Sequence, residues 1–389
     1  MNHSNHSDEN LRMLVKALLS PDSVNAKLCL EQWERATDVS DLDGRALRLI
    51  PLLSESCKQH EIDVPFPKAV SKMERYWWLK HRWNERVIQP LLASWIEQGM
   101  NPVVIKGLAV QNQIARPLTR TMSDIDVWLP EEQIDEAIVS LRAAGFEMDV
   151  SMRMKYEQNP ERYRMLRHAA PFHHTKLEVE LDLHWRLGGL VARNRVTDWL
   201  SNSATVELTL DGWAKGIRAM SGVPLVRTIM GNGYMDSDWS SAMWIFDFHQ
   251  LTQDWSLADW EELKESFFKD GVDFMWFWCL SILFESGAKL PPKSFEAATP
   301  QPSIRYRRNI YNPHKDMYVR YVSVLARVPL CKRMYSAFRH TQYRAFGERF
   351  PRKVKIFLAF ALDPPFGGGF KDRLKNFADS ARHLRSGSA

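Results

Sequence analysis

Two aspartates, Asp124 and Asp126, stand two positions apart within an alternation of apolar residues that is typical of a β-strand. Because successive side chains of a strand point to opposite faces, both carboxylates are expected on the same face. A shorter apolar run, residues 103–105, comes earlier in the chain and ends at Lys106 and Gly107. A strand that ends in a glycine, followed by a helix and an acidic strand, can hold a divalent metal ion against the phosphates of a nucleotide.

A second polar strand face is predicted at residues 177–183, where leucine and valine alternate with acidic residues. Asp182 lies on this face and is the candidate third carboxylate, either as a metal ligand or as the base for an acceptor group. Mg²⁺ prefers oxygen ligands and keeps several of its waters, so two or three carboxylates on adjacent strands are sufficient. The sequence therefore predicts a Mg²⁺ or Mn²⁺ site formed by Asp124, Asp126 and Asp182.

The residues around these carboxylates are suited to binding the phosphates of an NTP. Gly107 allows a close approach of the backbone to the triphosphate, and the helix after it would present its N-terminus to anionic oxygens. His184 shares a face with Asp182, where it orients a carboxylate, touches the substrate or is simply a packed, hydrogen-bonded residue. The predicted nucleotide-binding residues are Lys106, Gly107, Arg120, Ser123 and His184.

The chain of 389 residues is too long for one ordinary core. We expect an α+β fold with a small mixed β-sheet flanked by helices, and helical N- and C-terminal regions. The predicted regions are a helical part at 1–94, the mixed core at 95–190, a mostly helical domain at 191–300 and a basic, aromatic-rich helical tail at 301–389. Strands are predicted at 103–105, 124–129, 146–150, 177–183 and 205–210.

Composition narrows the class of protein. No apolar run approaches the length of about 18 residues that a membrane span needs. The N-terminus lacks the basic and then apolar order of a signal peptide, so a cytoplasmic location is expected. The four cysteines have no paired spacing, which argues against a zinc site or a disulfide framework.

The charge of the chain is unevenly distributed. Residues 303–389 contain 19 lysines and arginines but only 5 acidic residues, a net charge of +14, whereas the remainder carries −9. A segment of this kind can attract nucleic acid, anionic lipid or an acidic partner, or it can be a solvated helical face.

Several motifs together resemble an uncharacterised bacterial nucleotidyltransferase family within the DNA polymerase β-like superfamily. The shared motifs are Lys106-Gly107, Arg120 shortly before Asp124-Ile125-Asp126, and Leu181-Asp182-Leu183-His184-Trp185. The segment from Trp239 to Asp247 is similar to a later helix of that family. The resemblance covers roughly residues 40–290 and does not include the basic tail.

The resemblance implies a mixed sheet flanked by helices and two metal ions, with Asp124 and Asp126 as ligands and Asp182 as the third carboxylate. It implies Mg²⁺-dependent transfer of a nucleoside monophosphate from an NTP to a hydroxyl or phosphate of an unknown acceptor, such as a modified peptide, a protein or a small molecule. The wider superfamily usually has Gly-Ser or Gly-Gly after the first strand. Here Lys106-Gly107 stands there instead, so Lys106 would replace the serine contact.

Two other functions are consistent with the sequence. The core could serve as a non-catalytic adaptor that binds a nucleotide or a phosphopeptide. Alternatively, the protein could modify nucleic-acid ends and use the basic tail as its electrostatic footprint.

Overall fold

A computed structural model describes residues 3–38, 42–187, 191, 199–200, 204–235, 242–270, 272–288 and 290. The chain divides into two compact units, one formed by residues 1–152 and 169–310 and the other by residues 153–168 and 311–389. The basic tail predicted at 301–389 lies outside the described residues. The division into four regions stays a prediction.

Twelve α-helices occur within the described ranges. They are α1 (His3–Leu19), α2 (Ser23–Ala36), α3 (Gly44–His60), α4 (Pro67–Glu97), α5 (Lys106–Gln111), α6 (Ile134–Ala143), α7 (Val150–Gln158), α8 (Pro160–Leu166), α9 (Gly222–Met235), α10 (Met243–Leu251), α11 (Leu257–Lys269) and α12 (Asp273–Ser286). None of the helices in these ranges is both long and apolar enough to cross a membrane.

Seven strands form one mixed sheet in the order β3-β4-β5-β2-β1-β7-β6. They are β1 (Val103–Ile105), β2 (Ile125–Trp128), β3 (Phe146–Met148), β4 (Ala169–His174), β5 (Glu180–His184), β6 (Thr205–Glu207) and β7 (Arg218–Met220). The central strand β2 runs antiparallel to β1 and parallel to β5. The predicted α+β class with a mixed sheet and helical flanking regions is confirmed.

The central strands are buried in the core of the protein. All residues of β1 and β2 are buried. Helix α6 packs the predicted stripe of Ile134, Ala137, Ile138 and Leu141 into the core. Helix α4 is joined to α6 by a hydrogen bond of 2.9 Å from Trp95 Nε1 to Ser140 Oγ. The centre of the sheet is therefore formed by β5, β2 and β1, which are the strands next to or within the predicted site.

Strand β4 was not predicted, and its sequence explains why. Pro171 lies within it, although proline lacks the N–H that a strand inside a sheet normally donates. The residue lies opposite Asp182 of β5, while β3 pairs only with Phe172–His174 on the other side. Because Pro171 lies beyond the end of β3, it occupies what is locally a sheet edge. A proline is tolerated there.

Candidate active site

Two aspartates stand side by side at the centre of the sheet. Strands β2 and β5 run parallel, and their register places Asp126 directly beside Asp182. The alternating neighbours Ile125, Val127 and Leu181 are fully buried, as expected when the opposite face packs on the core. Asp126 is buried and Asp182 half-buried. The parallel register of β2 and β5 therefore brings two of the three predicted carboxylates together.

Lys106, the first residue of α5 directly after β1, contacts the same carboxylate. Ile105 of β1 lies opposite Asp126 in the register, and Lys106 is the next residue. Its backbone adopts a left-handed conformation with φ of +51°, which is uncommon for a residue other than glycine. Its Nζ lies 2.5 Å from Asp126 Oδ1. A non-glycine residue held in this conformation is a feature found disproportionately at functional sites.

His184 contacts Asp126 from the other side. Its Nε2 lies 2.8 Å from Asp126 Oδ1, and its side chain is fully buried. Burial lowers the pKa of His184, as does the nearby charge of Lys106, while Asp126 acts in the opposite direction. Because an ionised carboxylate only accepts hydrogen bonds, Nε2 carries the hydrogen and donates it to Asp126. This is the geometry of a residue that orients a carboxylate, one of the roles predicted for His184.

The two adjacent aspartates have very different electrostatic environments. Burial alone would raise the pKa of Asp126, but Lys106 and His184 hold that pKa well below its usual range. Burial raises the pKa of Asp182 to about 7, and the charges of Asp126 and Asp124 add to the effect. Burial tends to lower the pKa of Lys106, yet the carboxylates, first Asp126, raise it overall. The cluster thus carries an excess of negative charge around one lysine.

This cluster has the composition of a site for a metal ion. Ligand atoms of Asp126, Asp182 and His184 all lie within 4.8 Å of one another. Asp124 immediately precedes β2 and acts on the pKa of both Asp182 and Lys106, so its charge belongs to the same cluster. The carboxylate oxygens are the hard ligands that Mg²⁺ and Mn²⁺ prefer. The residues therefore fit a divalent cation.

Ser123 connects this cluster to helix α3. Its Oγ donates a hydrogen bond of 3.0 Å to Asp124 Oδ1 and accepts one of 3.2 Å from Arg48 Nη2. Thr121 Oγ1 in turn donates to the backbone oxygen of Arg48 at 3.0 Å. Arg48 was not predicted as a site residue, because nothing in the pattern of an amphipathic N-terminal helix indicates that it contacts a segment 75 residues later.

Arg120 reaches a partner that is far away in the sequence. Its Nε donates to Asp247 Oδ1 of α10 at 2.6 Å, and its Nη1 donates to the backbone oxygen of Thr121. Asp247 is buried, and burial raises its pKa although Arg120 opposes this. The predicted phosphate-binding role of Arg120 stays a prediction. Only the similarity of the 239–247 segment to a family helix pointed to Asp247.

Gly107 lies against the segment that carries Arg120. A Cβ at this position would be 2.9 Å from Cγ and Sδ of Met122, and 3.7 Å from Arg120 Nη2. The absence of a side chain therefore allows α5 to pack closely on the residues before β2. Whether the same backbone also approaches a triphosphate stays a prediction.

The comparison with known proteins agrees with this geometry. A search of curated proteins finds no match to the chain. Residues 31–269 match the model of a family described as uncharacterised nucleotidyltransferases, a range that includes every residue of the cluster. Because this match spans more than half of the chain, the protein belongs to the uncharacterised nucleotidyltransferase family.

Proposed function

We propose that this protein transfers a nucleoside monophosphate from an NTP to a hydroxyl or phosphate group of an acceptor in a Mg²⁺-dependent reaction. The observation that carries the proposal is the pair Asp126 and Asp182, side by side on parallel strands, with Asp124 and Lys106 adjoining. Paired carboxylates on neighbouring strands serve metal-assisted phosphoryl chemistry, and the family membership supports the same class of reaction.

The carboxylates of Asp124 and Asp126 would hold the divalent cation, with Asp182 beside them as the third carboxylate. When bound, the cation supplies neutralisation of the phosphate oxygens and favours ionisation of the acceptor hydroxyl. Lys106 would contact phosphate oxygens as a fixed positive charge. His184 keeps Asp126 in one orientation through its Nε2 hydrogen bond.

In the proposed reaction the acceptor oxygen forms a bond to the α-phosphorus. The bond from this phosphorus to the oxygen that bridges to the β-phosphate breaks, and pyrophosphate leaves with the electron pair. Asp182 takes the proton of the acceptor hydroxyl. Burial raises the pKa of Asp182 above the usual range of a carboxyl group, towards the working pH at which a general base is most effective.

Calorimetric titration of the full chain with each common NTP in the presence of Mg²⁺ tests the proposal without knowledge of the acceptor. Wild type is expected to bind at least one NTP, and Asp126→Asn to lose that binding because a cation ligand is removed. Asp63→Asn, at an exposed carboxylate, is the matched control and should bind as wild type does. Failure of folded wild type to bind any Mg²⁺–NTP complex would contradict the proposal.

A non-catalytic nucleotide-binding adaptor is the second candidate. The ion pair between Lys106 and Asp126 favours it, because the lysine already compensates part of the carboxylate charge that would otherwise attract a cation. An adaptor that relies on Lys106 would bind an NTP equally well with Mg²⁺ or with EDTA and would lose binding in Lys106→Met. Mg²⁺-dependent binding of an NTP without any turnover would also favour an adaptor, whereas release of pyrophosphate would exclude it.

A further inference from the structure

A cavity of about 660 Å³ lies between α3, α4 and α10, beside the carboxylate cluster. Its volume is within the range of pockets that bind small molecules. Six of the residues that line it define its chemistry: Arg45, Arg48, Met73, Trp77, Ser123 and Met243. None of the proposed roles in nucleotide transfer uses this space.

Ser123 joins the cavity to the cluster. Its hydroxyl lines the cavity, donates to Asp124 Oδ1 and accepts from Arg48 Nη2. Two hydrogen bonds, of 3.2 and 3.0 Å, therefore separate the guanidinium of Arg48 from a carboxylate of the cluster. A molecule in the cavity has one end next to the proposed site of transfer.

One side of the cavity is apolar. Trp77 donates its Nε1 hydrogen to the backbone oxygen of Leu47 at 3.1 Å, so the indole offers only apolar ring surface to a ligand. Met73 and Met243 add flexible side chains that adapt to a planar group. A flat or aromatic body is the kind of group that such a surface accommodates.

The other side carries positive charge. Asp43, the acidic residue of the lining, accepts hydrogen bonds from the backbone nitrogens of Arg45 and Ala46 at the start of α3. It also forms an ion pair of 2.6 Å with Arg45. Asp43 is compensated twice, by Arg45 and by the positive end of the helix. Arg48 also acts on the buried carboxyl of Asp247, which is itself paired with Arg120. The two arginines of the lining against its one aspartate give it a positive balance.

We propose that this cavity binds the acceptor, and that the acceptor combines a flat apolar body with an anionic group bound by Arg48; this inference rests on the proposed nucleotidyl transfer. The nucleoside part of an NTP is a poorer match. The negative charges of an NTP lie on its triphosphate, which the proposed function assigns to the carboxylates and their cation. The nucleoside therefore has no anionic group for Arg48.

Phenyl phosphate is a suitable probe, because it joins an aromatic ring to an anion. The full chain is titrated with it by ligand-observed NMR, and phenol and inorganic phosphate are the controls that carry only one of the two features. A parallel titration with phenylacetate compares a carboxylate with a phosphate. Wild type is expected to bind phenyl phosphate or phenylacetate at least about tenfold more tightly than either control, because ring and anion are held together.

Two variants locate the binding. Gly44 lines the cavity, has no heavy atom within 4 Å of a Cβ, and has an ordinary φ, so Gly44→Leu should fold and fill part of the space. Arg48→Met removes the charge and keeps the length of the side chain. Each is expected to weaken phenyl phosphate binding about tenfold. Arg35→Met, at a side chain 77% exposed, is the control and should not change it.

The outcomes separate this inference from the proposed function. Binding of a Mg²⁺–NTP complex by wild type, together with failure to bind both anionic probes, overturns the inference and leaves nucleotidyl transfer standing. Equal affinities in wild type and Gly44→Leu overturn it as well. Displacement of phenyl phosphate by a Mg²⁺–NTP complex would show that the nucleoside occupies the cavity, which also overturns it. Simultaneous binding of both ligands supports it.

Discussion

Two identical side chains, Asp126 and Asp182, lie next to each other and yet differ in charge at neutral pH. Lys106 and His184 keep Asp126 ionised, whereas burial and the like charges of Asp126 and Asp124 leave Asp182 close to half-protonated. Pairs of carboxyl groups whose pKa values are pushed apart commonly divide the roles at a catalytic site. Here Asp126 is suited to holding positive charge and Asp182 to exchanging a proton.

The raised pKa of Asp182 has a consequence for stability. The carboxyl group of Asp182 has a usual pKa of 3.8 and a pKa of about 7 in the folded protein. Between these values the carboxyl ionises in the unfolded chain but not in the folded protein, and this lowers the free energy of unfolding. The penalty therefore grows from about pH 4 upwards and is complete just above pH 7. In EDTA, Asp182→Asn is expected to be more stable than wild type by about 1–2 kcal/mol at pH 8. The difference should shrink towards pH 4.5, as measured by thermal unfolding. A constant difference across this range would show that ionisation of Asp182 is not its cause.

The hydrogen bond from His184 to Asp126 predicts an effect on cation binding. His184→Phe removes the donor but fills most of the space, and should weaken Mn²⁺ binding about 10- to 100-fold, because groups that orient a metal ligand have effects of this size. His184→Gln keeps an N–H donor and should recover part of the affinity. Electron paramagnetic resonance of free Mn²⁺ measures both. Unchanged affinity in His184→Phe would show that the histidine is only a packing residue.

At the level of single residues, the sequence predicts those features that depend on strand periodicity. An alternation of apolar and acidic residues is sufficient to place Asp126, Asp182 and His184 on shared strand faces. The left-handed backbone of Lys106 is different, because no local preference leads a lysine into this conformation. It arises from the surrounding tertiary structure and so could not be predicted.

At the scale of the secondary-structure elements, a buried ion pair between Arg120 and Asp247 connects α10 to the segment before β2. Asp247→Ala would leave a guanidinium that is only 13% exposed without its carboxylate. Loss of one partner of a buried pair typically costs about 3–5 kcal/mol. We expect urea unfolding to report a loss of this size.

A matched exposed pair provides the control for this prediction. Glu265 and Lys269 pair on α11 with side chains 61% and 64% exposed, and Glu265→Ala should change stability by less than about 0.5 kcal/mol. The double variant Asp247→Ala/Arg120→Met should recover part of the stability lost in Asp247→Ala, because it removes the unpaired charge. Equal effects of Asp247→Ala and Glu265→Ala would show that burial of the Arg120 pair contributes nothing to stability.

The sequence predicts best those helices and strands whose apolar residues recur at a regular spacing. Strand β2 lies within one residue of its predicted bounds, whereas β5 begins three residues later and ends one residue later than predicted. The predicted apolar stripe of α6 is buried. Strand β4 was missed because Pro171 is unfavourable inside most sheets and is acceptable only where β3 has ended. Strand β7 was missed because it has only three residues and no alternation long enough to recognise.

At the scale of the whole molecule, the site is assembled by topology. Residues 106, 126 and 182 come together because β1, β2 and β5 are consecutive neighbours in the sheet, although they are not consecutive in the chain. The sequence shows which strands carry carboxylates, but strand order results from long-range packing that no local pattern contains. The same reason explains why Arg48 and the cavity beside it were not predicted.

The basic segment 303–389 lies outside the described residues, and its net charge of +14 still leads to a prediction for the full chain. If it binds nucleic acid, affinity for a 20-nucleotide RNA should fall at least about 100-fold between 50 and 200 mM KCl, because binding to phosphates releases counterions. Fluorescence anisotropy measures this. Failure to bind both the RNA and a DNA oligonucleotide of the same length at low salt would exclude the role in modifying nucleic-acid ends.

The outermost described strands of the sheet, β3 and β6, have three residues each. An edge strand exposes unpaired backbone groups to which another chain can add, and a short edge offers too few of them for stable addition. Copies of this protein are therefore not expected to join by continuing the sheet from β3 or β6, and a seven-stranded sheet is built without the aggregation risk of a long open edge.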